Sequence, residues 1–134
     1  MTINYIKLYG ISVAAFLAAD GVWLGLIAKK LYADKLGKLM TDNVKWAAAG
    51  LFYALFIVLL IYFVISPALK EGSARLALER GALFGLATYM TYDLTNYATL
   101  KDFPLLIVVV DMIWGTVLSA LISIVSFYAY RQLS

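Results

Sequence analysis

Four apolar stretches divide this chain, and each is long enough to cross a bilayer as a helix. They cover residues 8–28, 46–69, 81–100 and 103–130, and charged or turn-forming residues separate them. About 20 apolar residues rising 1.5 Å each match a hydrocarbon core of about 30 Å. The pattern predicts an all-α membrane protein, a bundle of four transmembrane helices, and an even number of crossings puts both termini on the same side. Composition agrees, since 64% of the 134 residues are hydrophobic and 14% charged, whereas soluble domains carry about a quarter charged residues. One continuous pattern of this length predicts a single domain over 1–134.

Lys7 ahead of the first stretch imitates a secretory signal. That stretch is longer than a signal core and Asp20 interrupts it, so it reads as a retained span. The connection 29–45, KKLYADKLGKLMTDNVK, spaces Leu31, Tyr32, Leu36, Leu39 and Met40 along one side of a short helix with lysines elsewhere. This predicts a segment lying in the membrane interface. Asp42 or Asn43 is expected to cap the second span, Ser66-Pro67 to end it, and Asp102 to cap the fourth ahead of Pro104. The net charge of +3 comes from lysines crowded at the ends of apolar runs, which suits lipid headgroups and not nucleic acid. Lys and Arg split five to six between the two faces, too evenly to orient the bundle.

There is no Cys and no His. Thiolate nucleophiles, disulfides, His-based zinc or haem ligation and imidazole catalysis are excluded. No metal-ligand spacing occurs, and no motif names a cofactor.

Three acids fall inside the spans: Asp20, Asp93 and Asp111. A charged group at mid-bilayer costs about 2.5 to 3.5 kcal/mol on insertion scales, so all three should face the bundle interior. Asp20 lies nine residues before Lys29, Asp93 eight before Lys101, and Asp111 nine after Asp102. At 1.5 Å per residue each sits about 12 to 14 Å below the same face. Tyr53, eight after Lys45, reaches that level from the second span. Tyr89, Asp93 and Asn96 form one stripe of the third helix, while Trp23 and Trp114 each follow an Asp by three residues and share its face. The candidate ligand-binding set is therefore Asp20, Trp23, Tyr53, Tyr89, Asp93, Asn96, Asp111 and Trp114. No Lys or Arg lies inside a span, so crowded carboxyls need protons, a bound cation, a hydroxylated ligand or neutral donors.

GVWLG at 21–25 and GALFG at 81–85 are both small-xxx-small patterns that allow close helix approach. Packing within the bundle is the expected use, with homo-oligomerisation left open.

The stretches ADGVWLG, FYALFIVLLIYFVISPAL, YDLTN and VDMIWG, in this order and spacing, resemble the small bacterial membrane proteins grouped as domain of unknown function 2177. The resemblance covers nearly the whole chain and implies a multi-pass inner-membrane protein. It implies no activity, and no catalytic role passes through it to Asp20, Asp93 or Asp111.

Three functions compete on the residues alone. The first is binding or transport of a small ligand or ion at the aspartate level. The second is an enzyme acting on a lipid or isoprenoid, with Asp20, Asp93 or Asp111 as general acid and base. The third is a structural or accessory subunit whose acids only pair helices.

Overall fold

The computed structural model describes residues 2–134, and every regular element among them is helical. There are five helices: α1 (Tyr5–Ile27), α2 (Lys29–Leu36), α3 (Trp46–Glu71), α4 (Ala74–Thr99) and α5 (Leu105–Leu133). Helices α1, α3 and α5 are long and apolar enough to cross a membrane. Helix α4 matches them in length at 26 residues but is more polar, since it begins at Ala74 and carries Arg75, Glu79 and Arg80 ahead of the apolar run. The connection after α1 does form a helix. Leu31, Tyr32 and Leu36 pack on Phe103, Ile107 and Val108, while Leu39 and Met40 lie beyond the helix and stay exposed. Part of the apolar side expected to face lipid therefore covers the start of α5.

Local chemistry sets the helix ends. Asn4 caps α1 by accepting from the Lys7 amide at 3.1 Å, and Ser73 caps α4 by accepting from the Leu76 amide at 3.1 Å. Gly72 stops α3 in the left-handed region at φ 64°, where the Ser73 amide closes on the Ala68 carbonyl at 3.0 Å.

Three expected ends differ. Ser66-Pro67 does not stop α3: a π-helical turn over Ile61–Ile65 comes first, and Pro67, which has no N–H to donate, sits in the turn after it. Asp102 does not cap α5. It takes φ 60° in the corner between α4 and α5, a conformation Asp tolerates better than most residues, and Pro104 occupies the cap position. Neither Asp42 nor Asn43 caps α3; Lys45 holds that position, and the Asn43 amide instead donates to the Thr41 hydroxyl at 3.0 Å.

Helices α4 and α5 run antiparallel in close contact, and residues four apart on each meet in a ladder. Gly81 faces Ser123, Gly85 faces Ser119, Gly115 faces Tyr89, and Asp93 faces Asp111. A Cβ on Gly85 would collide with the Gly115 carbonyl and the Ser119 side chain, and one on Gly115 would enter the Tyr89 ring. Only glycine lets these backbones approach so closely. GALFG is thus used within the bundle, whereas Gly21 and Gly25 of GVWLG face open space.

The buried Phe16 of α1 packs on the rings of Tyr53 and Phe56 in α3, and α1 closes on α5 through a Ser12–Ser126 hydroxyl bond of 3.1 Å. The chain ends meet there, with the Asn4 amide donating to Tyr130 at 2.8 Å and Lys7 Nζ donating to the Leu133 carbonyl. Helix α3 contributes Ile57, Leu60 and Ile65 to the core they share.

The surface is far more apolar than a soluble bundle's, and a few polar side chains are buried within the apolar core. Serines 12, 66, 119, 123 and 126 and two aspartates are buried, while Ile6, Leu26 and Leu83 are 88%, 82% and 65% exposed. Such a surface is stable against lipid tails and not against water.

Candidate functional site

The polar run from Thr88 to Thr99 has a largely local explanation. Thr88, Thr91 and Thr99 return their hydroxyls to carbonyls of their own helix at 2.7 to 2.9 Å. Asp93 is different. It is 0% exposed, and neither carboxyl oxygen accepts from a donor among the described residues. Its carboxyl group adjoins that of Asp111 within hydrogen-bonding reach.

Asp20 forms a second polar centre on α1. Its Oδ2 accepts from the Tyr53 hydroxyl at 3.2 Å and its Oδ1 from Trp114 Nε1 at 3.3 Å, which ties α1 to α3 and α5. The two centres are joined by aromatic rings. Trp23 and Trp114 stack with centroids 4.5 Å apart and planes 8° from parallel. Trp23 Nε1 donates to the Tyr32 hydroxyl at 3.2 Å, and Tyr32 donates to Asp111 Oδ1 at 2.8 Å. Burial first, and then the Asp111 charge, hold the Tyr32 phenol well above its usual range, so it stays a donor.

Two adjoining cavities share Phe52, Tyr89 and Asp111 in their walls. The larger, about 410 Å³, adds Thr88 and Tyr92; the smaller, about 210 Å³, reaches Asp20, Tyr53 and the tryptophan pair. Phe52 and Tyr92, 46% and 58% exposed, mark the rim.

Seven of the eight residues singled out from the sequence meet here: six line the cavities, and Asp93 stands behind Asp111. Asn96 lines neither cavity and adjoins Tyr92 on its own helix. The acids do not form one triad. Asp93 and Asp111 pair, Asp20 stands apart with its own donors, and among the described residues no three acidic side chains converge to hold a metal ion. Each tryptophan also serves something other than the Asp three residues before it. Trp114 bonds Asp20 across the bundle, and Trp23 reaches Asp111 only through Tyr32.

Tyr32, expected on the lipid-facing side of the 29–45 segment, joins the site together with Phe52 and Tyr92, which the candidate set does not contain. Tyr92 follows Tyr89 by three residues, a signal that was present. Tyr32 carried none, because its place depends on how α2 folds back after the π-helical turn Trp23–Ile27.

Residues 5–128 match the family described as "Predicted membrane protein (DUF2177)". The chain belongs to that family. Membership and the apolar helices together make it a multi-pass membrane protein in contact with lipid. No curated protein and no solved structure matches it.

Proposed function

We propose that the chain forms a bundle of four transmembrane helices, α1, α3, α4 and α5, with both termini on one side and α2 at the opposite interface. Its function is to bind a small ligand or ion at Asp20, Asp93 and Asp111, and transport is the use such a site serves best. The observation that carries this reading is the position of Asp111, which lines both cavities while contacting the buried, donorless Asp93. Helix pairing alone would satisfy every carboxylate, and here Asp20 receives two donors and Asp111 one, while Asp93 receives none. A cavity of about 410 Å³ is within the usual range of about 300 to 1,000 Å³ for small-molecule sites. The Asp and aromatic residues supply the wall, and Tyr32 fixes Asp111 from the side of α2.

The test is a melting-temperature screen of the detergent-purified chain against chemically diverse ions and small molecules. At least one compound is expected to raise the midpoint of wild type and to fail on Asp111→Asn. The same compound should cross reconstituted liposomes in an Asp111-dependent manner. A screen in which no compound discriminates wild type from Asp111→Asn would count against the reading.

A second reading draws on the Asp93–Asp111 pair itself. Adjacent carboxyls, one protonated and one ionised, are the acid and base that chemistry on a lipid or isoprenoid requires. Changed lipid or pigment profiles in cells lacking the protein would favour it, and unchanged profiles would remove it.

A further inference from the structure

The identity of the ligand class follows from counting donors. Ionised carboxylates only accept hydrogen bonds. Asp20 receives two donors and Asp111 receives one from Tyr32, but Asp93 receives none and faces Asp111. Two bare carboxylates cannot rest against each other without a cation beside them, so in the empty site one proton must lie between them. The ionisable groups around this pair are Tyr32 from α2, Tyr89 and Tyr92 from α4, and Asp20 from α1. Among the described residues no Lys or Arg pairs with any of the three acids, the one salt bridge being Arg75–Glu79 on the surface.

The cavity beside Asp111 presents the rings of Phe52, Tyr89 and Tyr92. Aromatic faces attract cations, most strongly where water is scarce. Calcium takes six to eight oxygen ligands and magnesium six, and neither suits a wall made mainly of rings. A monovalent cation with an apolar body satisfies both the rings and the carboxylate.

Resting on the ligand-binding reading above, we propose that the ligand is a hydrophobic monovalent organic cation, a substituted ammonium or phosphonium, which enters in exchange for the proton shared by Asp93 and Asp111. The balance is simple. Before entry the pair and its proton carry one negative charge. Afterwards the proton has gone to water, and two carboxylates with one bound cation carry the same charge. The exchange adds no net charge to the membrane interior, where charge is expensive.

The test uses the full chain in neutral detergent, titrated separately with tetraphenylphosphonium, the anion tetraphenylborate and the neutral triphenylphosphine oxide. Fluorescence of the stacked tryptophans reports binding, and a pH dye in weakly buffered solution reports protons. Tetraphenylphosphonium is expected to bind saturably, to release about one proton, and to bind about tenfold more tightly per unit rise in pH while the pair keeps its proton. Asp93→Asn supplies an amide donor to Asp111 in place of the shared proton, so this variant should bind without proton release and without the pH slope. Asp111→Asn, which removes the carboxylate from the cavity wall, should weaken binding at least tenfold.

Saturable cation binding with no proton released would overturn the exchange. Asp111-dependent binding of the neutral or anionic compound in its place would overturn the cation class while leaving a ligand site standing. No saturable binding of tetraphenylphosphonium would also overturn the cation class, and the broader reading then stands or falls on its own melting screen.

Discussion

Tyr32 makes two hydrogen bonds at once, accepting from Trp23 and donating to Asp111. Replacing it with Phe removes both and leaves an indole N–H and a carboxylate short of partners inside the bundle. The expected loss is about 1 to 3 kcal/mol of stability. Thermal unfolding of Tyr32→Phe in detergent checks this, with Tyr62→Phe as control because Tyr62 is 70% exposed. A pH arm sharpens the assignment. A phenol whose proton is held more tightly in the folded state contributes stability that is fully present below the free value of about 10 and is lost as pH rises beyond it. Burial and the Asp111 charge hold Tyr32 in that way. Above about pH 10 the wild type should therefore lose stability more steeply than Tyr32→Phe, and parallel alkaline curves would refute the assignment. At this scale the sequence revealed the acids, because an ionisable residue within an apolar run is conspicuous. It concealed Tyr32, because a tyrosine in an amphipathic loop looks the same whether it faces lipid or a carboxylate.

The α4–α5 ladder shows how two helices divide packing from chemistry along one seam. Glycine and serine rungs near the shared end of the chain termini bring the backbones together, and the same period of four delivers Asp93 to Asp111 further along. A methyl at Gly85 has no room, so Gly85→Ala should push the helices apart and destabilise the protein by about 1 to 3 kcal/mol. Gly21→Ala meets nothing within 4 Å and should leave the melting midpoint unchanged. Equal midpoints for the two variants would mean that the seam is not as close as described. The glycine motifs were legible as two equivalent signatures, and what distinguished them was the partner. Helix α5 repeats small residues at Gly115, Ser119 and Ser123 in the matching register, while the glycines of α1 face outward. Three of the spans were readable as long apolar helices, and the fourth segment as a helix of matching length, because lipid imposes length and apolarity. The caps at Lys45 and Pro104 were not: the short connection 100–104 must first reverse the chain, and the Asn43 amide ahead of Lys45 turns back to Thr41. Depth counts assumed unbroken α-helix; the count for Asp20 runs through the π-helical turn Trp23–Ile27, and Tyr53 nevertheless meets Asp20.

At the scale of the molecule, an apolar core holds a few buried Ser and Asp, the surface exposes many large apolar side chains, and the chain ends touch through Asn4, Lys7, Tyr130 and Leu133. Helix α4 is the element on which the topology turns. Counted as a span, it makes four crossings and puts Thr2 and Ser134 on one side, with residues 29–45 and Lys101 on the other. Left out, it would leave three crossings and separate the ends. Its close seam with α5, the exposed apolar side chains Leu83 and Leu86, and the burial of Asp93 against α5 favour the crossing. The chain has no Cys, so any single introduced thiol is unique. Thr2→Cys, Lys38→Cys, Lys101→Cys and Ser134→Cys can be labelled one at a time in sealed, uniformly oriented vesicles with a membrane-impermeant maleimide. Thr2→Cys and Ser134→Cys should react from the same side, and Lys38→Cys and Lys101→Cys only from the other. Reaction of Thr2→Cys and Ser134→Cys from opposite sides would reduce the bundle to three crossings and take α4, and Asp93 with it, out of the membrane interior. The desolvation that makes a proton-for-cation exchange worthwhile would then be gone, so the topology experiment also bears on the chemistry of the site.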